Sequence, residues 1–160
     1  MTIDTLRSLR EHLQTAIEIE WSTIPPYLCA LWSLGDEHNR PAATCIRDVV
    51  MEEMLHLTLA ANVLNALGGE PRLGGHPTVP AYPTSLPHSD RSFSVSLLRF
   101  SPAALETFRR IERPALIGAP PQDEGYATIA QFYAAVSEAV ERIGADPAVW
   151  SGPPDRKSVV

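Results

Sequence analysis

The sequence predicts an all-α protein, a four-helix bundle with a long proline-rich crossover between its second and third helices. Three observations carry this. Two runs of nearly thirty residues each repeat apolar side chains at three- and four-residue intervals. Two shorter runs near the C-terminal end repeat the same spacing. Between the pairs lies a stretch from Glu70 to Phe100 with five prolines, Pro71, Pro77, Pro80, Pro83 and Pro87, and no helical period.

The first helix is expected from about Asp4 to Ser33, with Leu6, Leu9, Leu13, Ala16, Ile17, Ile24, Tyr27, Leu28 and Leu31 on one buried face. Glu20 falls in that stripe, whereas Glu11, Gln14 and Glu18 fall on the other side, so Glu20 is an inward carboxylate and Glu18 a surface charge. Pro25 and Pro26 interrupt the run just after Glu20. Each interior proline costs about 3 kcal/mol or more through a lost donor and a clash with the preceding turn. The stripe nevertheless resumes in phase at Tyr27 and Leu31, so the expectation is a helix that continues with a reshaped core beside Glu20.

After a short connection from Gly35 to Pro41, the second helix is expected over about Ala42 to Leu67, closed by Gly68 and Gly69. Its apolar face reads Ile46, Val49, Val50, Leu57, Ala60, Ala61, Leu64 and Leu67, and Glu53 and His56 lie within that face. Three residues apart, they leave the helix on one side, one turn from each other. Two long helices joined by a short loop pack antiparallel. Glu20 then comes opposite Glu53 and His56, since each lies near the middle of its helix.

The crossover is too long to be structureless by default and is expected to have a role. Ser94 to Leu98 suggests one short strand in it. His76 and His88 also lie there, and loop histidines mostly face solvent, so neither is taken as a ligand. Ser101 and Pro102 form a cap and first-turn pair that starts a third helix, ended by Pro114. Leu105, Phe108, Ile111 and Glu112 share a side of it, which makes Glu112 the third inward carboxylate. A Pro/Gly loop from Ala115 to Gly125 leads to a fourth helix over about Thr128 to Ile143. Ile129, Phe132, Tyr133, Val136, Val140 and Ile143 point inward on it, while Glu138 and Glu141 do not. Residues 1–144 thus form the bundle, and 145–160, with Pro147, Pro153 and Pro154, read as a tail.

At 160 residues the chain suits one domain with a real core, and 44% hydrophobic content fits a globular protein. The net charge of -6, with no basic cluster, excludes a nucleic-acid surface. No apolar run is long and uncharged enough to cross a bilayer, so no membrane partner is expected. Two cysteines, Cys29 and Cys45, make no disulfide framework; with no signal-like N-terminus, a cytoplasmic location is expected.

A carboxylate or imidazole aimed into a bundle core carries a desolvation cost unless a charged or hydrogen-bonding partner meets it, and a metal ion is such a partner. Glu20, Glu53, His56 and Glu112 converge as a hard, oxygen-rich donor set suited to Fe(II) or Mn(II) and less well to Zn(II). Tyr27 and Tyr133 stand ready as hydroxyl donors behind them or as walls of a pocket. No histidine follows His88, so the second half of the chain cannot supply a second Glu-x-x-His pair.

With these residues in place the chain resembles the ferritin-like domain of the iminophenylpyruvate dimer synthase family, enzymes of bisindole pigment biosynthesis and their relatives. The matching pieces are Ala16-Ile-Glu-Ile-Glu20 running into Thr23-Ile-Pro-Pro-Tyr-Leu28, then Glu52-Glu-Met-Leu-His56 and Asn65-Ala-Leu-Gly-Gly69. Tyr82-Pro83, Leu86-Pro87, Phe100-Ser101 and Phe108-Arg-Arg-Ile-Glu-Arg-Pro114 continue the match. The resemblance implies metal-ligand roles for Glu20, Glu53, His56 and Glu112, with Thr23, Tyr27 and Tyr133 beside them. Longer members run on into a segment with a further glutamate and histidine that residues 145–160 do not supply, so one iron or manganese ion is expected rather than two. The functional expectation is a metal-dependent oxidase, oxygenase-like or imine-coupling enzyme acting on a small molecule of secondary metabolism, with a homodimer as the expected assembly. The alternatives are a non-catalytic metal-binding or structural bundle completed by dimerisation, and a metal-free scaffold.

Overall fold

The computed structural model describes residues 3–35, 39–74 and 80–150. Four α-helices follow in order: α1 (Leu6–Trp32), α2 (Arg40–Ala66), α3 (Pro102–Ile111) and α4 (Ile129–Gly144), with a 3-10 turn over Pro147–Trp150. Among the described residues there is no strand; the crossover carries two isolated bridges, Thr84 with Val95 and Ser89 with Tyr126, so the short strand expected over Ser94 to Leu98 is not formed.

The organising element is α1. Its start is fixed by a capping box in which Thr5 and Ser8 satisfy each other's backbone donors. It runs unbroken through Pro25 and Pro26. Pro26 has no N–H to give the Ser22 carbonyl four residues back. The Tyr82 hydroxyl takes that place, donating to Ser22 O at 2.9 Å. A crossover residue thus repairs the break in α1, and burial pushes the Tyr82 phenol up to about 12, which keeps it a donor.

Contacts between residues far apart in sequence give the directions of the other elements. Arg10 donates to Leu67 O, and Thr23 to Glu53, so α2 runs antiparallel to α1. Arg72 pairs with Gln14, Tyr82 with Ser22 and Phe100 with Ser33, so the crossover travels the length of α1 in the same direction. Tyr27 meets Glu112, and beyond it Tyr133 meets Glu20 and Arg142 meets Ile3. α3 and α4 therefore follow each other along α1, α3 on its C-terminal half and α4 on its N-terminal half, both antiparallel to it.

This surround explains where the expected single buried face of α1 fails. Gln14, Thr15, Ile19 and Ser22 lie off the apolar stripe and are buried. Gln14, expected on the polar side, is 6% exposed because the crossover lies over it, and its amide exchanges hydrogen bonds with the Arg72 backbone. Glu18 is likewise covered and stands 3.7 Å from the Arg72 guanidinium instead of being a free surface charge. Two more expectations change. Leu105 is exposed and Ala104 takes its place inside, since α3 is only 10 residues long and touches the core along a narrow line. The segment expected as a plain tail begins with the 3-10 turn, whose Trp150 indole N–H donates to Gly144 O and docks it on the end of α4.

α2 closes with Gly68 at φ 73, the left-handed geometry that glycine adopts without a Cβ penalty, and Gly69 N–H donates back to Leu64 O. The outer side of α2 keeps Met51, Met54, Leu55 and Leu59 exposed.

Candidate metal centre

Halfway along α1 and α2, the two helices face each other with acids. Glu20 and Glu53 are 2% and 6% exposed, and His56 joins them with its side chain half exposed. One ligand atom from each of the three lies within 4.8 Å of the others. His56 Nδ1 stands 4.0 Å from Glu20 Oε2, too far for a hydrogen bond. That separation would leave room for one ion held between the two donors.

The surrounding hydroxyls aim at this group. Thr23, one turn after Glu20, places Oγ1 2.5 Å from Glu53 Oε2 and 2.9 Å from the Glu20 carbonyl; its single proton serves the closer carboxylate. Tyr133 of α4 donates a very short hydrogen bond to Glu20 Oε1. Tyr27 donates to Glu112 Oε1 at 2.5 Å and its ring packs on Phe108, with 4.3 Å between centroids.

Glu112 is where the sequence expectation and the geometry part. It is not among the three residues whose ligand atoms come within 4.8 Å. α3 ends at Ile111, so Glu112 is the C-cap rather than an interior position, and the residue as a whole is exposed. Its carboxyl accepts a hydrogen bond from the Tyr27 hydroxyl and lies close enough to feel the charge of Glu53. The helix expected to run to Arg113 thus ends two residues sooner, and Glu112 stands at its cap with its carboxyl turned to buried Tyr27. Of the histidines on the crossover, His88 lies 3.5 Å from Glu124 with its side chain half exposed and outside the cluster; His76 is outside the described residues.

The electrostatics state the same problem in another form. Burial pushes the Glu20 carboxyl up to about 9, with the adjacent Glu53 adding hydrogen-bond and charge effects and Tyr133 opposing them. Glu112 is raised too, by burial first and by Glu53 among its neighbours. Tyr27 and Tyr133 are both driven up by burial and then by the carboxylates they face, Glu112 and Glu20 respectively, so both remain hydroxyl donors. Two carboxyls buried together without a counter-charge is an unfavourable arrangement in which one keeps its proton. A divalent cation between them would remove the conflict, and the donor set of two carboxylates and one imidazole suits it. The residues present fit a metal ion.

Beside the cluster, His56 and Tyr133 also form one end of a cavity of about 370 Å³ between α1, α2 and α4. Sequence reasoning missed Tyr82, although Pro26 was the signal: a proline inside a helix orphans the carbonyl four residues before it, and something must answer it.

A family model described as ferritin-like matches residues 13–157. A solved structure, a ferritin-like protein from Caulobacter vibrioides, is 30% identical and superposes with a TM-score of 0.75 over 89% of this chain. The match covers 54% of that protein, so this chain spans about half its length. No curated protein matches the chain.

Proposed function

We propose, from the premise that the chain belongs to the ferritin-like family, that it is a metal-dependent enzyme using one iron or manganese ion held by Glu20, Glu53 and His56. The reaction class we assign is oxidase- or oxygenase-like, or imine coupling, on a small molecule of secondary metabolism, as the resemblance to iminophenylpyruvate dimer synthases implies. The observation that carries the reading is the pairing of two nearly fully buried glutamates with a histidine in one cluster of ligand atoms.

The protein's own residues have definite tasks in this reading. Tyr133 holds one oxygen of Glu20 and leaves the other facing His56. Thr23 holds one oxygen of Glu53. Such outer hydrogen bonds fix the orientation of metal-binding side chains. Tyr27 holds Glu112 beside the cluster, as a further carboxylate within reach. His56, half exposed, marks the side from which a substrate approaches. A bound divalent iron or manganese ion supplies Lewis-acid character and one-electron redox chemistry at this point.

The test is metal analysis after chelation and anaerobic reconstitution with iron or manganese. About one ion per chain is expected, and Glu53→Gln abolishes it. Clearly less than one ion in the wild-type chain refutes the reading.

A second reading, a metal-binding bundle without turnover that is completed by a second copy, draws on the exposed row Met51, Met54, Leu55 and Leu59 beside His56. Glu53→Gln separates the two: a catalyst loses turnover with its fold intact, whereas a structural centre loses assembly.

A further inference from the structure

We infer that the cavity beside the metal cluster is the substrate site, and that it takes a small elongated molecule with an apolar body, aliphatic or single-ring, and one oxygen or nitrogen donor at its end. The inference rests on the metal reading only for which end of the molecule is polar.

The lining is ordered along two helices. On α2 it comes from His56, Leu59, Ala60 and Val63, and on α4 from Tyr133, Val136, Ser137 and Val140. Both sets follow the i, i+3, i+4, i+7 pattern of one helical face. Both begin with a polar group at the cluster and end in valine seven residues on, which is about 10 Å along a helix. Ala60, Val136 and Leu13 of α1 are the deeply buried members, whereas Leu59 is half exposed at the rim. The result is a slot, apolar for most of its length, with its only imidazole and phenol at the end beside Glu20. His56 lies 4.0 Å from Glu20, and Tyr133 is hydrogen-bonded to it, so a donor atom arriving at that end meets the cluster.

Size decides against a helix of another chain as the occupant. A 10 Å length of helix about 10 Å across fills roughly 800 Å³. The cavity holds about 370 Å³, within the range for small-molecule sites. Small side chains at Ala60 and Val136 create the room, and a bulky residue at either would close it.

The experiment is a titration of the full chain with 1-butanol, 1-hexanol and 1-octanol, followed by methyl NMR with and without Mn(II). Metal-free protein is expected to show shifts concentrated at the methyl groups of Leu13, Ala60, Val63, Val136 and Val140. Affinity should rise about fourfold per added methylene, roughly 250-fold from butanol to octanol. Ala60→Trp and Val140→Trp should each remove octanol binding; whichever retains the wild-type circular dichroism is the informative variant. In protein loaded with Mn(II), the hydroxyl-bearing carbon of bound octanol should broaden more than its terminal methyl.

Scattered shifts, no dependence on chain length, or full octanol affinity in a folded tryptophan variant overturns the inference. So does a dimer that buries these methyls and excludes the alcohols, or broadening that is stronger at the terminal methyl. Failure of the metal reading looks different: Mn(II) is not retained, while the alcohol series in metal-free protein is unaffected.

Discussion

Replacing Glu20 by glutamine should make the metal-free protein more stable at neutral pH and unable to hold a metal. The carboxyl titrates near its ordinary 4.5 when the chain is unfolded and near 9 when folded, because burial and Glu53 oppose its charge. Below pH 4.5 both states carry the proton and nothing is lost. Above it the unfolded chain releases the proton while the folded chain keeps it, so stability falls as pH rises, until the folded group also ionises near 9. From pH 4.5 to 7 the interval is 7 − 4.5 = 2.5 pH units. At about 1.4 kcal/mol per unit this is roughly 3 kcal/mol, a large share of a typical 5–15 kcal/mol domain stability. Glutamine has the same shape and no charge, so Tyr133 can still donate to its oxygen. Urea denaturation of chelated wild type and Glu20→Gln at pH 5 and pH 7 measures the change, and the difference between the two proteins cancels the other titrating groups. The variant's advantage should grow by about 2 to 3 kcal/mol across that interval. An advantage that is the same at both pH values would refute the reasoning, because Glu20 would then be titrating as an ordinary carboxylate. In the wild type, metal uptake displaces this proton, so apparent affinity should climb by up to about tenfold per pH unit through the same range.

Tyr82→Phe removes the donor to the carbonyl that Pro26 leaves orphaned, and should cost about 1–3 kcal/mol in urea denaturation with metal stoichiometry unchanged. His56→Ala, at a half-exposed position, should leave metal-free stability within about 0.5 kcal/mol of wild type while lowering Mn(II) affinity in a calorimetric titration. Tyr27→Phe frees Glu112 from its hydroxyl, and the measured Mn(II) affinity should change while Ala60 and Val136 methyl signals stay in place. Mn(II) at 100 times its dissociation constant should raise the wild-type stability by about 2.7 kcal/mol and leave Glu53→Gln unmoved.

The long helices and their polar insertions were legible because burial on a helix leaves a period. Glu20, Glu53 and His56 could be set against apolar stripes of nearly thirty residues, and small errors at the ends, such as Arg40 rather than Ala42 as the start of α2, do not shift the phase. Glu112 shows the limit of the method. Its phase was extrapolated from a helix taken to Arg113, whereas the helix ends at Ile111 and Glu112 is its cap, bonded to Tyr27. Gln14 and Glu18 show another. Their burial depends on the crossover, which has no period to read, so nothing local told them apart from the solvated Glu11. The partial exposure of His56 depends on what α2 lacks on its outer side, and an apolar row there, Met51 to Leu59, reads in sequence like any other core stripe.

The arrangement of elements around α1 explains why so polar a cluster sits in the middle of the fold. Each of the other helices reaches the cluster by a different route. α2 supplies Glu53 and His56 directly, whereas α4 arrives through Tyr133 on Glu20, and α3 brings the charge of Glu112 near Glu20 while bonding to Tyr27 of α1. Only the α1–α2 pair would therefore be bridged by an ion; the α3 and α4 side is tied by hydroxyls whose proton donation does not require one, since burial keeps both phenols protonated. Losing the ion leaves those two hydrogen bonds available and returns the conflict to Glu20 and Glu53, where proton uptake by Glu20 settles it. The bundle can thus remain closed in both states, with one proton taking the place of the cation, and this is why stability and metal affinity must depend on pH in opposite directions.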